Sequence, residues 1–335
     1  MKWVRDGKPD PADQSEGPGD GASGQARKAR LAWQSAALVV LLASTWLIVQ
    51  ASLRGASTAT VSAGRTGFTV LGLLALTWWS ASRTAPAGKE HSVAAPRPRY
   101  RWWQVAILAL TGVTAYTLLS TLAISLAGPA LPALGMSLTP AVVLLAEGVT
   151  ARKCPPVRTI VGTVIAVAGA VLYAVPRLAG NLGQQVALGS LVAVAALFSM
   201  AFYGIYFERV NRGYRGAMAP RILPIFAVGT IPLALWALVA GGEAGWAALG
   251  MLALLGIVVY VPAYLLQHRI LLVGGPSYSA LLGLAVSPLV GAGSAMLHLA
   301  GAPTPMQIAA MAVTIAGMAV VMRSKLATSE ADATR

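Results

Sequence analysis

Long apolar runs separated by short polar segments are the dominant pattern of this chain. Most runs approach the roughly 20 residues that a helix needs to cross a bilayer. Ten spans are predicted, at roughly 31–50, 57–79, 104–123, 129–150, 157–175, 187–207, 219–240, 245–266, 275–298 and 304–322. The pattern therefore predicts an all-α polytopic membrane protein. Residues 1–30 form a polar tail with too little aliphatic content to fold alone.

The second half of the chain repeats the pattern of the first. An offset of 148 positions takes Tyr116 to Tyr264, and also carries Thr139-Pro140 to Ser287-Pro288 and Ala168-Gly169 to Ala316-Gly317. Both halves pass through a Gly-Pro step and a proline-broken apolar run. We therefore predict two five-helix repeats, at 31–176 and 187–323, followed by a tail at 324–335. Because five is odd, the second repeat starts on the opposite side of the membrane, which gives inverted topology and favours alternating access.

Composition and charge agree with a membrane protein. Hydrophobic residues make up 56% of the chain, charged residues only 11%, and the mean hydropathy is +0.68. The net charge of +14 is concentrated in alternate loops, which by the positive-inside rule predicts cytoplasmic N- and C-termini. The charge is thus explained by membrane topology, and no nucleic-acid partner is expected. Cys154 is the only cysteine, which excludes an intrachain disulfide.

The order of these features resembles the drug/metabolite transporter superfamily, specifically the family with two EamA domains, over roughly residues 31–323. The residues that carry the resemblance are Ser44-Thr45-Trp46, Arg65, Tyr116, Leu138-Thr139-Pro140, Gly162, Gly169, Tyr264-Leu265-Leu266, Arg269, Gly274-Gly275-Pro276, Ser287-Pro288, Pro303 to Gln307 and Ala316-Gly317. The resemblance implies a ten-helix carrier of small organic solutes or metabolites, often an exporter, in the inner or plasma membrane. The chain is read as a divergent member of that family.

Arg65 is the clearest candidate for a functional charge inside a span. A charged side chain there is costly, so it should face a cavity or a partner. Its guanidinium could hold a carboxylate or phosphate in bidentate fashion. The alternative is that Arg65 reaches the outer surface or bonds the carbonyls at a neighbouring helix end.

Aromatic and polar side chains recur at helical spacing on three spans. Such stripes can line a cavity in which rings supply contact area and hydroxyls supply orientation; the alternative is ordinary helix packing. With the repeat residue Tyr116, the candidates for substrate binding are Trp46 and Gln50 on the first span, Ser199, Tyr203 and Tyr206 on the sixth, and Tyr260, Tyr264 and Gln267 on the eighth.

Prolines interrupt the fourth and ninth spans. We predict that Pro129 and Pro140 in the fourth, and Pro276 and Pro288 in the ninth, kink their helices and gate or shape the site. A fixed structural bend is the alternative.

Two titratable groups are candidates for proton coupling. Glu147 lies inside a span, although an ion pair with Arg152 at the interface is the alternative that we favour. An ordinary histidine titrates near neutrality, so His268 could carry a coupling proton. The alternative that we favour is a histidine at the membrane interface beside Arg269.

Enzyme motifs do not appear in the sequence: it has no P-loop, zinc-ligand cluster or HExxH. We expect no enzymatic activity, cofactor or metal. The expected partners are a small-molecule substrate, such as an amino acid or drug-like compound, and the lipid bilayer. A coupling proton and a second copy of the chain are partners that the sequence leaves open. A membrane-embedded enzyme or lipid-processing protein and a non-transporting scaffold are the competing functions.

Overall fold

A computed structural model of the chain describes residues 20–83, 100–150, 156–178, 183–299 and 303–333. The backbone described there is helical and contains no strand; an isolated antiparallel bridge joins Ala56 and Ala244. Contacts divide the chain into two units, Met1–Ala37 and Leu38–Arg335. The described part of the first unit is the beginning of a helix, and the site described below lies in the second.

The helices follow the apolar runs of the sequence. Their bounds are α1 Asp20–Ser52, α2 Thr58–Arg83, α3 Trp102–Ala127, α4 Ala130–Met136, α5 Thr139–Thr150, α6 Val157–Leu178, α7 Gly183–Asn211, α8 Met218–Val239, α9 Trp246–Val273, α10 276–296 and α11 Pro305–Ala333.

Seven stretches of the described chain are long and apolar enough to cross a membrane. They are Trp33–Ser52, Thr58–Arg83, Trp102–Ala127, Val157–Pro176, Gly183–Asn211, Met218–Val239 and Trp246–Val273. The predicted spans at 129–150, 275–298 and 304–322 correspond to shorter apolar helices, Ala130–Ala146, Ala285–Met296 and Pro305–Val321. The all-α, multi-pass prediction is confirmed, whereas the count of ten crossings stays a prediction.

Both halves of the chain interrupt their helices at a Gly-Pro step with the same backbone geometry. Gly128 has φ 73° and ψ 174° and precedes Pro129 at the end of α3. Gly275 has φ 77° and ψ 171° and precedes Pro276 between α9 and α10. Essentially only glycine adopts this region. Pro129 and Pro276 therefore lie at sharp bends between helices, at the start of the spans predicted at 129–150 and 275–298. Their role in gating stays a prediction.

The other two prolines behave differently from each other. Pro140 lies in the first turn of α5, just after α4 has ended at Met136, so the predicted fourth span is split into two helices. Pro288 lies inside the helix that continues to Met296. Proline fits the first turn because the N–H that it lacks would have no helical partner there.

A π-helical segment widens the helix at a similar place in each half. It covers Ala109–Ala115 in α3 and Leu254–Tyr260 in α9. Tyr116 follows the first segment directly, and Tyr260 ends the second. Such wide turns are frequent at functional sites, and here both lie beside tyrosines predicted to bind substrate.

Helices α6 and α11 approach closely through small residues. A Cβ atom on Gly317 would lie 2.5 Å from the Ala166 nitrogen and 2.7 Å from the Gly162 oxygen. A Cβ atom on Gly169 would lie 2.8 Å from the Ala310 oxygen. The offset of 148 takes Gly162 to Ala310 and Gly169 to Gly317, so each of these two backbone approaches is the counterpart of the other.

Candidate functional site

A cavity of about 110 Å³ lies among the helices of the second unit, and we call it the main cavity. Its wall is formed by α3, α4, α5, α7, α9, α10 and the part of α1 after Ala37, and it is mostly apolar. The predicted site residues that line it are Trp46, Tyr116, Tyr203, Tyr260, Tyr264, Gln267, His268 and Pro276. The structure therefore brings together half of the predicted site residues, from both halves of the sequence.

Aromatic rings in mutual contact form one side of the main cavity. The rings of Tyr260 and Tyr264, one helical turn apart on α9, stack with centroids 5.0 Å apart. Phe226 of α8 supports Tyr264 at a centroid distance of 4.6 Å. Contacts of this kind hold the rings in one orientation. The parts of the two tyrosines that line the main cavity present a rigid aromatic surface to a flat or apolar solute.

His268 is buried, with 1% of its surface exposed, and lines the main cavity. Its Nδ1 lies 2.6 Å from the Tyr264 carbonyl oxygen, which can only accept, so Nδ1 carries a hydrogen. In the neutral ring Nε2 is then an acceptor, and the Tyr203 hydroxyl donates to it. His268 thus joins α7 to α9 instead of lying at an interface, which corrects the alternative given for it.

Arg65 is buried, with 3% of its surface exposed, and its hydrogen-bond partners are neutral. The guanidinium donates to the Thr117 carbonyl at 2.8 Å, the Ser120 hydroxyl at 2.7 Å and the Tyr260 hydroxyl at 3.2 Å. It also lies 5.9 Å from the centre of the Tyr260 ring. Its Nε is buried without a hydrogen-bond partner.

A second, smaller cavity of about 10 Å³ borders Arg65, and we call it the Arg65 cavity. Thr45, Trp46, Tyr116 and Tyr260 line both this cavity and the main cavity. The two spaces are therefore neighbours with shared walls, and the buried charge lies beside the larger space without lining it.

Three predicted binding residues lie outside both cavities. Ser199 donates to the Thr111 carbonyl at 2.8 Å and so joins α7 to α3. Tyr206 stacks on Phe202 at a centroid distance of 5.9 Å, and its hydroxyl is buried without a partner. The Gln50 Oε1 is likewise buried without a partner. Glu147 belongs to α5, and its side chain lies outside the described residues.

Sequence reasoning did not single out several residues of the site. Thr117 and Ser120 hold Arg65, and Met136 and Met200 line the main cavity. The one signal available was the offset of 148, which takes Ser120 to His268. A threonine carbonyl or a methionine in a membrane helix gives no such signal.

Contacts at the two ends of the bundle differ in kind. Where α1 ends and α9 begins, Arg54 donates to the His298 carbonyl at 2.6 Å, and the Gly245 N–H donates to the Gly55 carbonyl at 3.0 Å. At the opposite end of the bundle, Arg221 lies 3.6 Å from the centre of the Tyr100 ring.

Asn211 completes this second cluster. Its Oδ1 accepts from the Arg221 Nε at 2.6 Å and from the Tyr100 hydroxyl at 2.9 Å. Burial raises the pKa of the Tyr100 phenol, and the neighbouring Arg221 charge acts in the opposite direction. Three helix ends are thus joined through one amide.

The comparisons with known proteins agree with this architecture. Residues 32–175 match the model of the EamA-like transporter family. A solved structure described only as "Crystal structure of protein" aligns with a TM-score of 0.56 and 20% identity, over 88% of this chain and 97% of that chain, which shows a shared fold. No curated protein matches the sequence. Residues 32–175 are thus similar to the EamA-like transporter family, part of the drug/metabolite transporter superfamily, and the chain is a multi-pass membrane protein.

Proposed function

We propose that this chain is a secondary transporter that exports a small organic solute. The observation that carries the proposal is the main cavity, on whose wall Tyr116 and Tyr264, 148 positions apart, lie together. A space lined by matched residues of two halves is the place where repeat-built transporters bind their substrates. Its aromatic, mostly apolar wall suits an organic solute better than an inorganic ion.

We further propose that ten helices cross the membrane as two inverted five-helix repeats. Backbone geometry and helix contacts support this proposal, in addition to the repeat in the sequence. Gly128 and Gly275 share one unusual backbone geometry, 147 positions apart. The approach of Gly162 to Gly317 has its counterpart in that of Gly169 to Ala310. Reciprocal contacts of this type are what a twofold axis produces.

Alternating access is the mechanism that we assign to this arrangement. In such a mechanism the two repeats exchange conformations and open the cavity first to one side and then to the other. The helix boundaries at Gly128 and Gly275 provide hinges, because a chain without continuous helical hydrogen bonds bends there at low cost. Helices α4, α5 and α10 line the main cavity next to these boundaries and would act as the gates.

The remaining proposals concern the membrane that holds the protein, a proton that could drive transport, and self-association. We place the protein in the inner or plasma membrane with both termini cytoplasmic, because the basic residues are concentrated in alternate loops. A coupling proton would use His268, which lines the main cavity, or Glu147. A second copy of the chain remains a proposed partner.

A proteoliposome assay tests the transport proposal. The purified full chain is reconstituted and screened for protein-dependent uptake and counterflow of organic acids, amino acids, nucleobases and amines. Tyr264→Leu should reduce flux about tenfold, or ~1.4 kcal/mol of lost binding, because a stacked wall of the cavity is removed. Phe198→Leu is the matched control, because the Phe198 side chain is 57% exposed and does not line the main cavity. This variant should transport normally. Absence of protein-dependent flux for every class would contradict transport.

A further inference from the structure

The strongest unexplained feature of the site is the incomplete hydrogen bonding of Arg65. An arginine has five N–H groups, and three hydrogen bonds to neutral acceptors occupy only part of them. The Nε–H has no partner although it is buried. A buried donor on a charged group is expected to be satisfied, so a ligand that completes it would stabilise the protein.

The charge of Arg65 also lacks a counter-ion among the described residues. The side chains described around the main cavity and the Arg65 cavity include no aspartate and no glutamate. A buried charge without an opposite charge is strongly unfavourable in a membrane protein. The Tyr260 ring and three neutral acceptors offset only part of this cost.

The position of Arg65 connects its guanidinium to the substrate space. Arg65 borders the Arg65 cavity, which shares Trp46, Tyr116 and Tyr260 with the main cavity. The Tyr260 hydroxyl accepts from Arg65, and its own hydrogen stays available to a ligand. A guanidinium N–H and a phenol O–H beside one small polar space form a site for an anionic oxygen.

We propose that the transported solute is a net organic anion whose carboxylate, or a similar acidic group, is the counter-ion of Arg65. This inference rests on the proposed transport function and names its substrate class. One anionic oxygen occupies the Arg65 cavity, whose volume of about 10 Å³ suits a single atom of that size. The organic body lies against Trp46, Tyr260 and Tyr264 in the main cavity. Because the described lining offers no carboxylate for an ammonium group, amines and zwitterions bind more weakly than the matching acid.

Matched ligands test the charge requirement on the unmodified protein. The full chain in detergent is titrated with acid, amide and amine forms of one skeleton, such as 3-phenylpropionate, 3-phenylpropionamide and 3-phenylpropylamine, together with phenylalanine and shorter and longer homologues. Tryptophan fluorescence and thermal shift report binding. The acid should bind at least about tenfold more tightly than the amide, the amine and phenylalanine. Equal affinities, or no binding by any acid in the set, would overturn the proposal.

Variants locate the effect at Arg65. Arg65→Lys keeps the charge but loses the planar fork, so the Kd of the acid should rise about tenfold. Arg65→Gln should remove the preference for acid over amide. Tyr206→Phe is the control, since its hydroxyl has no partner and lies outside both cavities. An unchanged acid preference in a folded Arg65→Gln protein would remove Arg65 from the site.

Two further sets of ligands test whether the bound anion is a soluble organic acid, inorganic phosphate or a lipid headgroup. Phenylphosphonate and inorganic phosphate test whether any acidic oxygen suffices, and phosphatidylglycerol tests a lipid headgroup. Competition by the phosphonate supports a soluble organic anion, whereas stabilisation by the lipid or by inorganic phosphate alone overturns it. Flux measurements keep the two proposals distinct. Acids that bind without being transported contradict transport, whereas amides or amines carried as well as the acid by the unmodified protein contradict only the anionic substrate.

Discussion

Residues of the same stripe have different roles in the structure. Tyr260, Tyr264 and Gln267 of α9 all face the main cavity, as their spacing predicts. Of the equivalent stripe on α7, only Tyr203 does so, because Ser199 bonds to α3 and Tyr206 lies against Trp103 of α3. Helical spacing defines a face about 100° wide. A neighbouring helix decides which part of that face is covered, and one sequence does not show where that helix lies.

The Tyr203–His268 contact gives a test at the same scale. Tyr203→Phe removes the donor to the buried Nε2 of His268, and an unsatisfied buried acceptor costs about 1–3 kcal/mol. We expect a lower midpoint of thermal unfolding in detergent. Tyr206→Phe on the same helix is the matched control, because it removes a hydroxyl that has no partner, and it should not lower the midpoint. Equal midpoints for both variants would show that the hydrogen bond contributes nothing.

At the scale of elements, hydrophobic runs and Gly-Pro steps have different predictive value. The runs predict the helices because in lipid each backbone group must bond within its own helix. The Gly-Pro steps at 128–129 and 275–276 are visible in the sequence at the start of two predicted spans, but the sequence does not show which residue makes the bend. The glycine makes the bend, because its positive φ ends one helix before the proline starts the next.

Gly275→Ala tests this element directly. The Cβ meets no atom within 4 Å, so the cost comes from the backbone region and should be about 1–3 kcal/mol. Gly250→Ala within α9 is the control: it also meets no atom within 4 Å, it is helical, and it should gain up to about 1 kcal/mol. Thermal unfolding of both variants measures the difference. Equal stability of Gly275→Ala and the unmodified protein would mean that this conformation is not required.

At the scale of the whole molecule, the contact between Arg54 and His298 joins the α1–α2 loop to the end of α10. If α10 acts as a gate, this contact must break when that end of the cavity opens. The bond ends on a backbone oxygen, so Arg54→Ala removes it while His298→Asn leaves its acceptor in place. The two variants therefore separate the contact from the identity of the histidine.

Thiol labelling from the two faces of the membrane measures this opening. In a Cys154→Ser background, Ser279→Cys places a reporter on the wall of the main cavity. A membrane-impermeant thiol reagent should reach it from each face, and Arg54→Ala should raise the rate severalfold from the face where α1 ends. The His298→Asn control should label at the original rate. Access from one face alone would contradict alternating access.

The sequence by itself determined the class of the protein, because lipid imposes a length and an apolarity on each crossing that can be read residue by residue. It also showed the internal repeat and the aromatic stripe of α9, which depend on order and local helical geometry. Only the tertiary structure decided that Arg65 lies beside neutral acceptors from α3 and α9, and that His268 joins α7 to α9. Contacts between residues 52 to 195 positions apart depend on how helices pack, and packing is a property of all their surfaces together.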